Sequence, residues 1–209
     1  HHPSVSTAPD GTTWVAWHTY KDRSDGIAVR RLGPGDRASD THVVNQGGSV
    51  HGPPKIVAKS ADHASVVWSA NVEGTWQVTL REWNDDRWHD SRGVSDVTRD
   101  AIYPTAARDD EGRLVVVWSE RIDDLYRIRV FRTGDDGTKV HLVSSDHVDA
   151  YRPTLALHGN EFWVFWDQYD GSNYSVHGCR LYPTLGKVQQ ISPEGRYCLT
   201  PTALSGSDG

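Results

Sequence analysis

Apolar positions in this chain follow two alternating styles. Segments such as "LVVVW" at 114–118 and "FWVFW" at 162–166 are almost continuously apolar, the pattern of a short strand buried on both faces. Each is followed by a segment of period two. Tyr126, Ile128 and Val130 point one way and Arg127 and Arg129 the other, and Trp76, Val78 and Leu80 repeat the pattern. Asp- and Gly-bearing turns separate the runs, as in "PDG" at 9–11 and "DDEG" at 109–112. A weaker strand such as "TKVHLVS" closes the group. No segment carries apolar residues at the three- and four-residue spacing of an amphipathic helix.

These groups recur. Pro3, Pro54, Pro104, Pro153 and Pro201 each open a similar phrase, at intervals of 51, 50, 49 and 48 residues. Trp17, Trp68 and Trp118 stand 14 residues after their prolines, and Trp166 stands 13 after its own. Ile27, Val78, Ile128 and Val176 follow these tryptophans by ten residues. Four-stranded units repeated at about 50 residues, each with a buried second strand, predict an all-β propeller. The expected blades are 1–50, 51–100, 101–149 and 150–198, in one domain. The four tryptophans should occupy equivalent buried positions. Proline at a strand start is tolerated because its missing N–H falls at the end of the ladder. Residues 199–209 read as the first strand of a fifth unit. That strand, 199–205, is expected to pair with something outside the chain, either absent blades or a second copy, because an unpaired edge is an aggregation hazard.

Composition narrows the partners. The 209 residues carry 28 Asp and Glu against 22 Lys and Arg, a net charge of −6 that argues against nucleic acid. No run of 18 apolar residues exists to span a membrane. Two cysteines, Cys179 and Cys198, make neither a disulfide framework nor a metal knuckle and are expected to be separate thiols. No cofactor fingerprint appears, and no metal is expected, His2, His18 and His51 lacking ligand spacing.

Candidate chemistry gathers at one rim, where second strands turn into third strands and successive blades are joined. His18, Tyr20, His51, Tyr151, Arg152, Asp167 and Tyr169 are the expected ligand-binding residues there, each within three residues of a strand end. Tyrosine faces stack on sugar C–H faces and arginine forks hold hydroxyls or carboxylates. On this reading Arg152 meets an anionic group and Asp167 accepts hydroxyl hydrogen bonds. Glu120 and Asp167, at equivalent rim loops of adjacent blades, are a carboxylate pair of the kind glycoside hydrolysis requires. His18, His51, Tyr151 and Arg152 are the parts a lyase would need.

The phrase P-x-x-A (Pro104, Ala107), D-x-x-G (Asp109, Gly112), W-V-x-W (Trp14 to Trp17) and Y-x-I (Tyr126, Ile128) resembles blades of secreted bacterial propellers of the sialidase-like and TolB-like superfamilies. The likeness covers the whole chain. "TGDDGTKV" at 133–140 approaches a sialidase Asp box, with Lys139 and Val140 in place of Thr and Trp. Tyr151-Arg152-Pro153 echoes that family's arginine motif. The resemblance implies an exported protein that acts on or binds glycans. Two functions are expected to compete: an extracellular module holding a glycan or a protein, and part of a glycan-cleaving enzyme, sialidase-like or lyase-like.

Overall fold

The chain is seen in a computed structural model that describes residues 3–33, 37–46, 51–109, 111–134, 140–159 and 161–204. Among them there is strand and turn but no helix, and so no helix long and apolar enough to cross a membrane. Residues 135–139 of the partial Asp box at 133–140, and His1 and His2, lie outside the described residues.

Four antiparallel sheets follow one another in the chain. Sheet one is β1 (Ser4–Thr7), β2 (Thr13–Lys21), β3 (Ser24–Leu32) and β4 (His42–Gln46), and sheet two is β5 (Lys55–Ser60), β6 (His63–Val72), β7 (Thr75–Asn84), β8 (Arg87–Trp88) and β9 (Arg92–Gly93). Sheet three is β10 (Ala101–Arg108), β11 (Leu114–Ile122), β12 (Leu125–Arg132) and β13 (Val140–Leu142). Sheet four is β14 (Asp149–His158), β15 (Glu161–Tyr169), β16 (Tyr174–Tyr182) and β17 (Gln189–Gln190). Strands pair in chain order, except that β8 and β9 share the outer edge of β7. These are the meandering four-stranded blades that the period predicts.

The chain divides into two compact units, His1–Ile102 and Tyr103–Gly209. In the first, Trp14, Ala16, Ile27 and Val29 of sheet one pack against Ile56, Ala64, Val66 and Trp68 of sheet two. In the second, Val115, Val117, Ile128 and Val130 of sheet three pack against Leu155, Phe162, Val164 and Trp166 of sheet four. Each unit is thus two sheets joined face to face through the apolar side of their second and third strands.

Trp17, Trp68, Trp118 and Trp166 hold one register position. Each faces, across the second and third strands, the residue eleven further on: Ala28, Thr79, Arg129 and His177. Trp68, Trp118 and Trp166 are buried, whereas Trp17 is only half-buried. Trp17 lies on the side of β2 turned away from sheet two, and the buried places go to Trp14 and Ala16 opposite. The expected burial on both faces holds for "LVVVW" but not for "FWVFW". Phe162, Val164 and Trp166 are buried there, while Trp163 and Phe165 are half-buried and stack on one another at 6.4 Å.

The prolines also sit differently from expectation. Pro3 and Pro54 precede their strands, but Pro104 and Pro153 lie inside β10 and β14. The residues before three of the prolines, Tyr103, Arg152 and Thr200, have φ of 55°, 47° and 57°. Residues preceding proline avoid the helical region, and a non-glycine residue at positive φ costs about 1–2 kcal/mol. In β14 the consequence is a register shift between Tyr151 and Thr154. This bulge takes the proline out of the ladder and re-aims the side chain of Arg152.

A serine nine residues before Pro104, Pro153 and Pro201 fixes each connection between repeats. The backbone N–H groups of Val78, Ile128 and Val176 donate to Ser95, Ser144 and Ser192 Oγ at 2.9, 2.9 and 3.0 Å. The residue before each serine donates its own N–H back to the same third-strand residue: Val94 to Val78 O, Val143 to Ile128 O and Ile191 to Val176 O. Two repeats add an acid: Asp100 accepts from Trp76 N and Asp149 from Tyr126 N, at 2.9 and 2.7 Å. Replacing Ser144 with Ala should destabilise the protein by about 1–3 kcal/mol, because the buried Ile128 N–H loses its acceptor. Urea unfolding measures it, and a change below about 0.5 kcal/mol would show that water substitutes for the hydroxyl.

Residues 199–204 form no strand. Thr200 donates its N–H to Asp167 Oδ1, and Pro201 to Leu204 border a shallow hollow with Ala156, Phe165 and Val176. Cys179 is buried, Cys198 half-buried, and both are free thiols. Burial pushes the Cys179 thiol up to about 11.

Candidate functional site

In the second unit, four of the expected residues come together at the rim of sheet four. Asp167, in β15, pairs across the ladder with Tyr151 of β14 and is fully buried. The bulge swings Arg152 onto it, so that Nε donates to Asp167 Oδ2, while Thr200 N donates to Oδ1 at 2.6 Å. One carboxylate therefore ties down two strained residues, the pre-proline positions of successive repeats. Burial raises the Asp167 carboxyl above its usual range despite the opposing pull of the Arg152 guanidinium. Arg152 is tied through Nε alone. Its Nη groups have no partner among the described residues, and about a third of its side chain is exposed.

Tyrosines surround this pair. Tyr151 meets Tyr126 with ring centroids 5.2 Å apart, and Arg152 lies over the Tyr151 ring at 6.0 Å. Tyr169 stacks on Tyr174 at 4.6 Å, and Tyr174 meets Tyr197 at 6.4 Å. Burial raises the Tyr151 phenol far above its ordinary value, helped by the Asp149 carboxylate and by the neighbouring Tyr174 and Tyr126. Several hydroxyls are anchored: Tyr169 donates to Gly171 O and Tyr197 to Ser172 O. Asp170 shapes the intervening turn by accepting from Ser172 N and Asn173 N, which holds its carboxyl low. The result is a platform of five tyrosines, Tyr126 with Tyr151 and Tyr169 with Tyr174 and Tyr197, beside the partly exposed Arg152 and its buried carboxylate partner.

Sequence reasoning named Tyr151 and Tyr169 but not Tyr126, Tyr174 or Tyr197 as partners. A signal existed: Trp76, Tyr126 and Tyr174 each stand eight residues after their repeat's tryptophan, at the head of the third strand. Tyr103, on the strained pre-proline position and 45% exposed, belongs to the same class as Arg152.

The first unit holds the other three. His18 Nε2 lies 3.1 Å from Asp25 Oδ1. His51 is buried, forms an isolated bridge with Ala70, and its Nε2 contacts Asn45 Nδ2. An amide donor at Nε2 leaves the His51 proton on Nδ1, which has no partner among the described residues. Burial lowers the His51 pKa, with Asp25 opposing and His18 reinforcing that shift. His18 and His51 are thus neighbours electrostatically. Tyr20 is not part of this group; it projects from the end of β2, two-thirds exposed.

The carboxylate pair expected for hydrolysis is differently placed. Glu120 and Asp167 lie within strands rather than loops and are one register position apart, Glu120 opposite Arg127 and Asp167 opposite Val176. Glu120, 1% exposed, accepts from Trp118 Nε1 at 3.0 Å and lies 3.4 Å from Arg129 Nε. Such a carboxylate is occupied in holding the blade core. Among the described residues no group of three or more His, Cys, Asp or Glu side chains is placed to hold a metal.

No family model and no curated protein matches the sequence. Solved structures do. A Hadza microbial sialidase superposes with a TM-score of 0.63 at 13% identity, over 91% of this chain and 46% of its own. TolB from Acinetobacter baumannii gives 0.61 at 16% identity, over 91% and 43%. An α-L-arabinofuranosidase from Fusarium graminearum, in complex with an iminosugar inhibitor, gives 0.69 at 10% identity, over 97% and 67%. The chain spans less than half the length of the first two. At these identities the likeness establishes the fold alone, a run of β-propeller blades.

Proposed function

We propose that the chain is the blade-bearing part of an extracytoplasmic glycan-binding protein, with the ligand lying on the tyrosine platform of sheets three and four. The observation that carries this reading is the run Tyr126, Tyr151, Tyr174, Tyr169 and Tyr197 beside Arg152. Tyrosine rings offer large, stiff, amphipathic faces for sugar C–H groups. The free Nη donors of Arg152 stand where hydroxyls of a stacked sugar would reach them. His18, partly exposed and paired with Asp25, marks a second polar position in the first unit for the same class of ligand, with the buried His51 as its electrostatic neighbour. A sialidase and an arabinofuranosidase among the structural neighbours support the ligand class.

A glycan array, followed by calorimetry on its hits, tests the reading. Tyr151→Ala and Tyr174→Ala should each weaken binding by about 1 kcal/mol or more, as for aromatic anchors in a desolvated interface. Thermal unfolding checks that the fold survives. Unchanged binding by both folded variants would move the ligand elsewhere.

A second reading, part of a glycan-cleaving enzyme, is favoured by one observation. Asp167 is a buried carboxyl with a raised pKa, the property of a general acid. Release of reducing sugar from neutral or acidic polysaccharides, abolished by Asp167→Asn, would select this reading over simple binding.

A further inference from the structure

The charge arrangement around the platform narrows the ligand further. Among the described residues of sheets three and four, each guanidinium at this rim but one already has a carboxylate. Arg121 holds Asp124 at 3.0 Å, Arg127 holds Asp146 at 2.5 Å, Arg129 lies 3.4 Å from Glu120, and Arg152 donates to Asp167. The exception, Arg196, is exposed in the same turn as Glu194. Asp149 and Asp170, by contrast, are held by backbone amides, and no cation among the described residues pairs with them. The field over the tyrosines is therefore neutral to negative.

An anionic sugar needs a cation that is not already neutralised. Among the described residues Arg152 is the guanidinium seen over a platform ring, and its charge is cancelled by a fully buried carboxylate that cannot swing away. Asp167 is fixed on its other side by Thr200 N. What remains on Arg152 is its Nη hydrogen-bond donors, which serve a hydroxyl or ring oxygen as well as a charge. From this geometry we infer that the platform takes a neutral polyhydroxylated saccharide and excludes sialosides and uronides. This inference rests on the glycan-binding reading above and deepens it. Asp167 acts as a positioning residue: it orients Arg152 and removes its net charge.

Two probe panels separate the outcomes. One holds neutral oligosaccharides (arabinan, galactan, mannan and glucan fragments), the other sialyllactose and oligogalacturonides. Wild-type protein should bind a member of the neutral panel with an affinity that low and high salt leave unchanged. Asp167→Asn, which leaves Arg152 charged, should gain roughly tenfold or more in affinity for the acidic panel, and the gain should vanish at high salt. Salt-sensitive binding of the acidic panel by wild-type protein, lost in Arg152→Gln, would overturn the inference while leaving the glycan reading standing. Failure of both panels on wild-type protein would instead remove the glycan reading, and this inference with it. If Asp167→Asn does not fold, the wild-type salt titration on the two panels decides alone.

Discussion

Trp166→Ala is expected to cost about 3–5 kcal/mol in urea unfolding, the range for truncating a large buried aromatic residue. Trp17→Ala, at the same register position, is expected to cost about 1 kcal/mol or less, in keeping with its partial burial. The contrast matters more than either value. Trp166 fills the contact between sheets three and four, with Phe162 and Val164 on its side and Val115 and Val117 facing it. Trp17 occupies the side of β2 that sheet two leaves uncovered. Equal costs for the two variants would mean that Trp17 is buried in solution and that the first sheet is covered on both faces.

Glu120→Ala should be almost as damaging, at about 3–5 kcal/mol, because removing one partner of a buried pair strands the other. Trp118 Nε1 would lose its acceptor and Arg129 its nearest carboxylate. Glu120→Gln keeps the acceptor for Trp118 while losing the charge beside Arg129, and should fall between the two. Circular dichroism melts of the three proteins order them. A Glu120→Ala variant as stable as wild type, yet unable to bind or cleave a glycan that wild type handles, would return this carboxylate to the functional site.

These residues show how far a sequence can be read. The second strands announced themselves through apolar runs, and proline and tryptophan spacing placed them in register, since a period of about 50 residues leaves few architectures. Which face of a strand is covered is a different matter. Trp17 and Trp166 look alike in the sequence, and only the neighbouring sheet distinguishes them. Glu120 read as a catalytic carboxylate because a glutamate after an apolar run looks like a rim residue; β11 continues two residues further, to Ile122, and keeps it inside. Tyr151, Arg152, Asp167 and Tyr169 were visible as a cluster because each lies near a strand end. Their mutual contacts were not, because they depend on the bulge in β14, and Pro153 read as the start of a strand rather than as a bulge within one. The serine before each proline was present three times over, hidden by the ordinariness of serine in loops.

The serine connection bears on how a chain of this kind can lengthen or shorten. Each bond it makes joins residues 16 or 17 apart, and the aspartate bonds that accompany two of them span 23 or 24. All of them fall within one proline-to-proline segment. A gene duplication cut at those prolines would copy a blade together with its own fastening. A recombination point between the third-strand residue and the serine would separate the two halves of the clasp. Proline-to-proline exchange is thus the seam along which blades can be added, deleted or swapped between relatives, while the face that each newcomer presents is left to selection.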